Sequence, residues 1–274
     1  MKTIRQEILD ADKVLILAGA GMSCDSGLPA FRTPEGFWNH YPPLKGREFE
    51  SVSSPTMQEH EPELFAGFYL HRLSLYRETE PHSGYAKLLD MLKQEGKDYF
   101  VVTTNVDGHF KKAGFDEQRI EERHGSIHHW QCSRFSCKSG IFNAPLDITV
   151  NNALIPSEIP KCPKCGNLSR PSILMFNDFE WNSLIQSNQN RKYNAWYYDL
   201  FKGDGKMVIL EIGAGQAIPT LRIIHNTILS ECPDSLGYRI NIDEDDFSSK
   251  QNMIKLTKSG KAFIDEIYVT TTVI

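Results

Sequence analysis

The chain has 274 residues, 40% of them hydrophobic and 24% charged, with a formal net charge of −5. That is enough chain for a large buried core, and the acidic balance gives no ground for general nucleic-acid binding. No apolar run approaches the roughly 20 residues of a membrane span, and Met1 to Glu7 mixes charges of both signs instead of showing a signal-peptide pattern, so a cytoplasmic protein is expected.

Ile4 to Asp12 reads as a short helix with Ile4, Ile8 and Leu9 on one face. Val14 to Ala18 is an apolar run of strand length that empties into Gly19-Ala20-Gly21-Met22-Ser23. Closely spaced glycines after a buried strand let backbone N–H groups approach a pyrophosphate, although Cys24 stands where a third glycine would complete the usual spacing. Ser26-Gly27-Leu28-Pro29-Ala30-Phe31-Arg32 follows. Asn39 to Pro62 is rich in Pro, Glu and His, lacks periodicity, and reads as an exposed insertion. Glu63 to Tyr76 reads as an amphipathic helix through Leu64, Phe65, Phe68, Tyr69, Leu73 and Tyr76. Gly84 to Glu95 is a second, with Leu88, Leu89 and Leu92 in its stripe and Gly96 as its stop.

Tyr99 to Thr103 is another buried strand, and it delivers Thr104-Asn105-Val106-Asp107 to its end. Lys111 to Gly114 closes a short helix, and Ile120 to Arg123 is a third strand leading into His124. Asn182 to Lys192 is polar and reads as a surface loop or helix. Met207 to Ile212 is a strand running into Gly213-Ala214-Gly215, Thr220 to Leu229 a helix, and Tyr238 to Ile242 a strand with Asn241 and Asp243 at its end. Ile267 to Val273 reads as one more strand. Strands alternating with helices imply an α/β fold with a Rossmann-like parallel sheet, and the polar turns place one site along its carboxyl edge. The organisation expected is a core of 1–38, 82–126 and 170–274, a helical and loop insertion at 39–81, and a small zinc-binding module at 127–169.

The module rests on Cys132, Cys137, Cys162 and Cys165, two knuckles among the chain's six cysteines. Four thiolates make a closed tetrahedral zinc site that stabilises a segment with no apolar core of its own. His124, straight after a strand, is suited to general-base work near neutral pH, although a lone histidine is more often structural. Asn105 and Asp107 alternate at a strand end, where both can face the crevice, while Asp107 is equally suited to cap a helix.

In this order the pieces resemble the sirtuin family. The resemblance rests on Gly19 to Arg32, Thr103 to Asp107, His124-Gly125, the two cysteine pairs, Gly213 to Gly215, and Asn241 to Asp243. It implies an NAD-consuming protein-lysine deacylase that releases nicotinamide and acyl-ADP-ribose, with structural zinc and an acylated protein or peptide as substrate. It implies His124 as general base. Gly19, Ala20, Gly21, Ser23, Phe31, Arg32, Thr104, Asn105 and Asp107 would surround the nicotinamide ribose and diphosphate, and Gly213, Ala214, Gly215, Asn241 and Asp243 the adenosine side. Ser172 to Asp178, with Phe176, resembles the segment that binds the acyl-lysine peptide. Tyr69 and Arg72 resemble the Tyr-x-x-Arg pair that reads acidic acyl groups.

Four segments depart from the family pattern. Thr104 replaces a glutamine, Ala30 an aspartate, Gly213-Ala214-Gly215 a Gly-Thr-Ser turn, and Asn177-Asp178 a Gly-Glu pair. These changes keep an ADP-ribosyltransferase, an NAD hydrolase and a non-enzymatic NAD-sensing module as alternatives, while His124 argues for deacylation. Neither nucleic acid nor membrane is expected as a partner, and no sequence feature fixes an oligomeric state.

Overall fold

The strand Lys13–Ala18 (β1) is buried along its whole length and lies between two parallel neighbours, Asp98–Thr103 (β2) and Met207–Ile212 (β7). A strand covered on both faces reads as a continuous apolar run, which is how Val14 to Ala18 presents itself. The computed structural model describes residues 2–29, 40–200, 205–242 and 252–269. With Ile120–Glu122 (β3), Leu236–Asn241 (β8) and Met253–Thr257 (β9), these strands form a six-stranded parallel sheet ordered β3-β2-β1-β7-β8-β9.

Side-chain alternation along β1 divides the core. Val14, Ile16 and Ala18 pack with Leu88, Met91 and Leu92 from the helix Ser83–Gln94, and with Phe263, Ile264 and Ile267 from the helix Gly260–Val269. Leu15 and Leu17 point to the other face, against Phe100, Tyr193, Tyr197, Leu221 and Ile228. Among the described residues no helix is long and apolar enough to cross a membrane.

A second, antiparallel sheet joins Ile141–Asn143 (β5), Gly125–Cys132 (β4) and Ser169–Ile173 (β6), in that order. It shares one core with the helices and turns of residues 41–76, the stretch expected as an insertion. Tyr41, Leu44, Val52, Phe65, Phe68 and Tyr69 pack with Ile127, Trp130, Ala144, Leu154 and Ile173. The contact is close at Gly67 on the helix Pro62–Glu78, where a Cβ would lie 1.7 Å from the Leu154 carbonyl oxygen. A bare Cα is what allows the two segments to meet there.

Two expectations change, and the loop-or-helix reading of 182–192 resolves to a helix. The 39–62 stretch is not simply exposed: Phe49–Val52 and Pro55–His60 are short helices, and Tyr41, Leu44, Val52 and Met57 are buried. Turns this short, broken by prolines, carry no long period to detect. Of the strand expected over Ile267 to Val273, the described part, 267–269, belongs to a helix, because Phe263, Ile264 and Ile267 are spaced to put one stripe on the sheet, and 270–273 lie outside the described residues. The polar 182–192 run opens the helix Leu184–Asp199, which buries Gln189, Tyr193 and Tyr197 at intervals of four. The strand β9 went unread because it is an edge strand, partly exposed throughout.

Candidate active site

The carboxyl ends of β1, β2 and β3 open on one cavity of about 270 Å³. Ala20 and Ser23 reach it from the short helix Ala20–Cys24 that follows β1, Thr104, Asn105 and Asp107 from the end of β2, and His124 from the turn between β3 and β4. Parallel strands place their outgoing turns side by side, so residues about 80 to 100 positions apart in sequence converge.

A hydrogen-bond network fixes this wall. Asn105 Nδ2 donates to the Gly19 carbonyl at 2.9 Å and to Ser23 Oγ at 3.0 Å. Ser23 Oγ donates to Asp107 Oδ2 at 2.7 Å, and Asp107 Oδ1 accepts from the His109 amide at 2.9 Å. Asp107 closes the turn before the helix His109–Lys112, whose N-cap is Gly108, and lines the cavity. Tyr85 Oη lies 3.1 Å from Ser23 Oγ. Since the one serine proton goes to the carboxylate, Tyr85 is the donor in that contact. Burial pushes the Tyr85 phenol well above its ordinary range, with the Asp107 charge adding to the effect, so it keeps its proton at neutral pH. Nothing in the sequence distinguishes Tyr85 from the apolar stripe of its helix.

The opposite wall comes from the insertion and from β6. Phe49, Ser53, Arg72 and Tyr76 face Ile173, Met175 and Phe176. The Phe176 amide donates to the Ser53 carbonyl at 2.9 Å, and the Leu174 amide to the His124 carbonyl at 2.9 Å, so this segment ties the insertion to the histidine turn. The Asp178 side chain is fully buried in a bidentate pair with Arg170, at 2.6 and 2.8 Å, and anchors the same segment.

Of the three residues expected at the peptide and acyl group, Arg72 and Phe176 line the cavity and Tyr69 does not. Its ring is buried in the insertion's core and its hydroxyl lies 2.7 Å from Ser53 Oγ. Tyr76 takes the place beside Arg72, its oxygen accepting from Nε at 3.2 Å and from Nη2 at 2.7 Å. Burial raises the Tyr76 phenol although the Arg72 charge pulls the other way, so it stays protonated. The guanidinium also lies 5.4 Å from the centre of the Phe68 ring and 5.9 Å from that of Phe49.

Gly213, Ala214, Gly215 and Asn241 sit at the ends of β7 and β8, outside this cavity. Gly21 N donates to the Gly213 carbonyl at 3.0 Å, which joins their turn to the one after β1. Phe31, Arg32 and Asp243 lie outside the described residues. The sequence reading missed Phe49, Ser53 and Tyr76, whose positions depend on how the 41–76 segment folds back, and Tyr85, which stands behind the sheet-side wall on its hydrogen bond with Ser23.

The sulfurs of Cys132, Cys137, Cys162 and Cys165 all lie within 4.8 Å of one another, with Cys132–Cys165 at 3.6 Å and Cys137–Cys162 at 3.9 Å. Tetrahedral zinc with bonds of about 2.3 Å needs sulfurs about 3.8 Å apart, so the set fits the ion. The Arg134 amide donates to Cys132 Sγ at 3.3 Å, as knuckle amides do for thiolates.

The model of the Sir2 family matches residues 19–194. Among similar proteins, the chain is 30% identical over 165 residues to an NAD-dependent protein deacylase of Aquifex aeolicus, covering 60% of this chain and 62% of that one. It is 30% identical over 182 residues to one of Thermus thermophilus, covering 65% and 64%. It is 26% identical over 253 residues to one of Leptospira interrogans, covering 91% and 89%. The matches to the first two thus span less than two thirds of those relatives' length. A solved Sir2 homologue–NAD complex superposes with a TM-score of 0.71 at 21% identity, covering 97% of this chain and 92% of that one. A Sir2 structure bound to a propionylated peptide gives 0.69 at 19% identity, covering 97% and 96%. At these identities the likeness is one of fold.

Proposed function

The chain belongs to the Sir2 family, and on that premise we propose that it is an NAD-dependent protein-lysine deacylase working in the cavity between the strand ends and the insertion. One observation carries the reading. Ser23, Asn105, Asp107 and His124 line one side of a single cavity whose other side holds Arg72, Tyr76, Phe49 and Phe176. The first set offers a carboxylate, an amide and an imidazole, the groups that a ribose and a carboxamide require. Gly19, Ala20, Gly21, Ser23, Thr104, Asn105 and Asp107, with Phe31 and Arg32, would hold the nicotinamide half and the diphosphate. Gly213, Ala214, Gly215, Asn241 and Asp243 would hold the adenosine half.

NAD supplies, when bound, a ribose carbon from which nicotinamide leaves as the acyl oxygen of the substrate takes its place. The chain's own residues do the rest. Asp107, held by Ser23 and by the His109 amide, accepts a hydroxyl in a fixed direction. His124 takes a proton on an imidazole nitrogen and so acts as general base. Phe49 and Phe176, with ring centres 6.0 Å apart, close the far side and exclude water. The four cysteines would fill every position on zinc, which makes the metal a support for the module and leaves the chemistry to the cavity.

Arg72 refines the substrate. A buried guanidinium in an otherwise largely apolar wall favours an acyl chain that ends in a carboxylate, such as succinyl-lysine, over acetyl-lysine. Incubation with NAD and each acylated peptide, followed by mass spectrometry, tests both levels. Deacylated peptide with acyl-ADP-ribose supports the deacylase, and a faster succinyl peptide supports the role of Arg72. ADP-ribosylated protein would replace the reading with a transferase, free ADP-ribose without peptide with a hydrolase, and no turnover with an NAD-sensing module.

A further inference from the structure

Beneath the Gly213–Gly215 turn lies a group of buried charges that the cavity does not use. Glu211, in the central strand β7, is fully buried. Its carboxylate accepts from Arg239 Nε at 2.6 Å and Nη2 at 3.0 Å, and it contacts His225 Nδ1 at 2.8 Å. Arg222, on the helix Thr220–Glu231, brings Nε to 4.0 Å from the same carboxylate. Its fork points elsewhere: Nε and Nη2 donate to the Ala214 carbonyl at 3.2 and 2.9 Å. Asn241 Nδ2 donates to that oxygen as well, at 3.0 Å.

Three N–H groups therefore converge on one carbonyl oxygen. The turn that receives them is Gly-Ala-Gly, with no side-chain hydroxyl to hold it and glycine freedom on both sides. Its position matters beyond itself. Gly213 is left-handed at φ +65°, its amide donates to the Ile240 carbonyl at 2.8 Å, and its carbonyl accepts from Gly21 N at 3.0 Å. A Cβ on Gly21 would lie 2.7 Å from Gly213 Cα, and one on Gly19 would lie 2.5 Å from Gly213 O. The two turns are in backbone contact, so a shift of Ala214 is passed to the loop after β1.

We propose that Arg222 is a positioning residue for the cofactor: its guanidinium clamps the Ala214 carbonyl and thereby holds both glycine turns in the form that receives the ADP-ribose portion of NAD. This rests on the NAD reading above and assigns a device to it that side-chain contacts in the cavity do not supply. Glu211 has a place in this account. Burying a guanidinium requires an opposite charge nearby, and a carboxylate near the carboxyl end of an apolar strand provides it. Arg239 and His225 remain on Glu211 when Arg222 is replaced, so the variant leaves that buried carboxylate paired.

The test is calorimetric binding of ADP-ribose by wild type, Arg222→Met and Arg222→Lys, together with kinetics on NAD and an acylated peptide. Loss of a charged hydrogen-bond fork predicts a fall of about tenfold or more in ADP-ribose affinity for Arg222→Met. KM for NAD rises to match, while kcat and KM for the peptide hold. Arg222→Lys recovers only part of the loss, since an ammonium cannot reproduce the planar fork. If Arg222→Met fails to fold, Arg222→Lys carries the same comparison with a smaller rise in KM for NAD. Wild-type affinity in a folded variant overturns the clamp, and so does a loss of kcat and peptide KM in proportion to a lowered melting temperature. A wild-type protein that binds no ADP-ribose overturns the NAD reading and the clamp with it.

Discussion

The two walls of the cavity are built in different ways. On the sheet side, Ser23, Asn105 and Asp107 stand on the segments that leave two neighbouring parallel strands, so the sheet places them and a short chain of hydrogen bonds locks them. On the insertion side, Arg72, Tyr76 and Phe49 stand on helices whose place depends on a core shared with the cysteine module. The first wall inherits its geometry from the fold. The second acquires its geometry from packing, which lets it vary while the chemistry opposite stays fixed.

The largest expected effect lies on the sheet side. His124→Ala should lower kcat by about 10²–10⁴-fold, the usual contribution of a general base, without weakening ADP-ribose binding. Stopped-flow or steady-state kinetics beside calorimetry checks this, and a variant at wild-type rate would remove His124 from the mechanism. Next comes the support of the other wall. Cys162→Ser should reduce metal content from about one zinc per chain and loosen the core that Trp130 and Leu154 share with Phe68 and Tyr69. Peptide turnover should then fail while ADP-ribose still binds. Equal loss of both would show that the walls are not separable.

Arg72→Met should cost about ten- to a hundredfold in kcat/KM for a succinyl-lysine peptide, the scale of a lost charged hydrogen bond. Acetyl-lysine turnover should change far less, which a two-substrate competition assay measures directly. The smallest effects separate two tyrosines. Tyr69→Phe breaks the contact with Ser53 and should lower stability by about 1 kcal/mol with acyl preference intact. Tyr76→Phe should weaken that preference, because its oxygen holds the Arg72 fork. Denaturant melts and the same competition assay report the pair, and a reversed pattern would return Tyr69 to the site.

This difference also explains what could be read before the fold was known. The glycines after β1, the Asn105–Asp107 pair and the His124 turn follow apolar runs of strand length, and strand ends lead to one edge. Tyr69 illustrates the limit. From Arg72, Tyr69 lies about 60° round the helix and Tyr76 about 40° round it on the same side, one turn before and one turn after, so helical spacing alone admits either as its neighbour. Packing decided it, since Phe65 and Phe68 draw Tyr69 into the insertion's core. The same holds at 39–62, where short helices bury single residues without a period. Glu211 was legible only as an interruption of an apolar strand, and its partners come from the following helix and from β8.

The central claim is that acyl transfer and nicotinamide release are one event in one cavity. Quantifying both products from NAD and an acyl-lysine peptide tests it most directly. The account predicts nicotinamide and deacylated peptide in equal amounts, with no nicotinamide when the peptide is left out. Nicotinamide release without peptide, or in excess of deacylation, would contradict it.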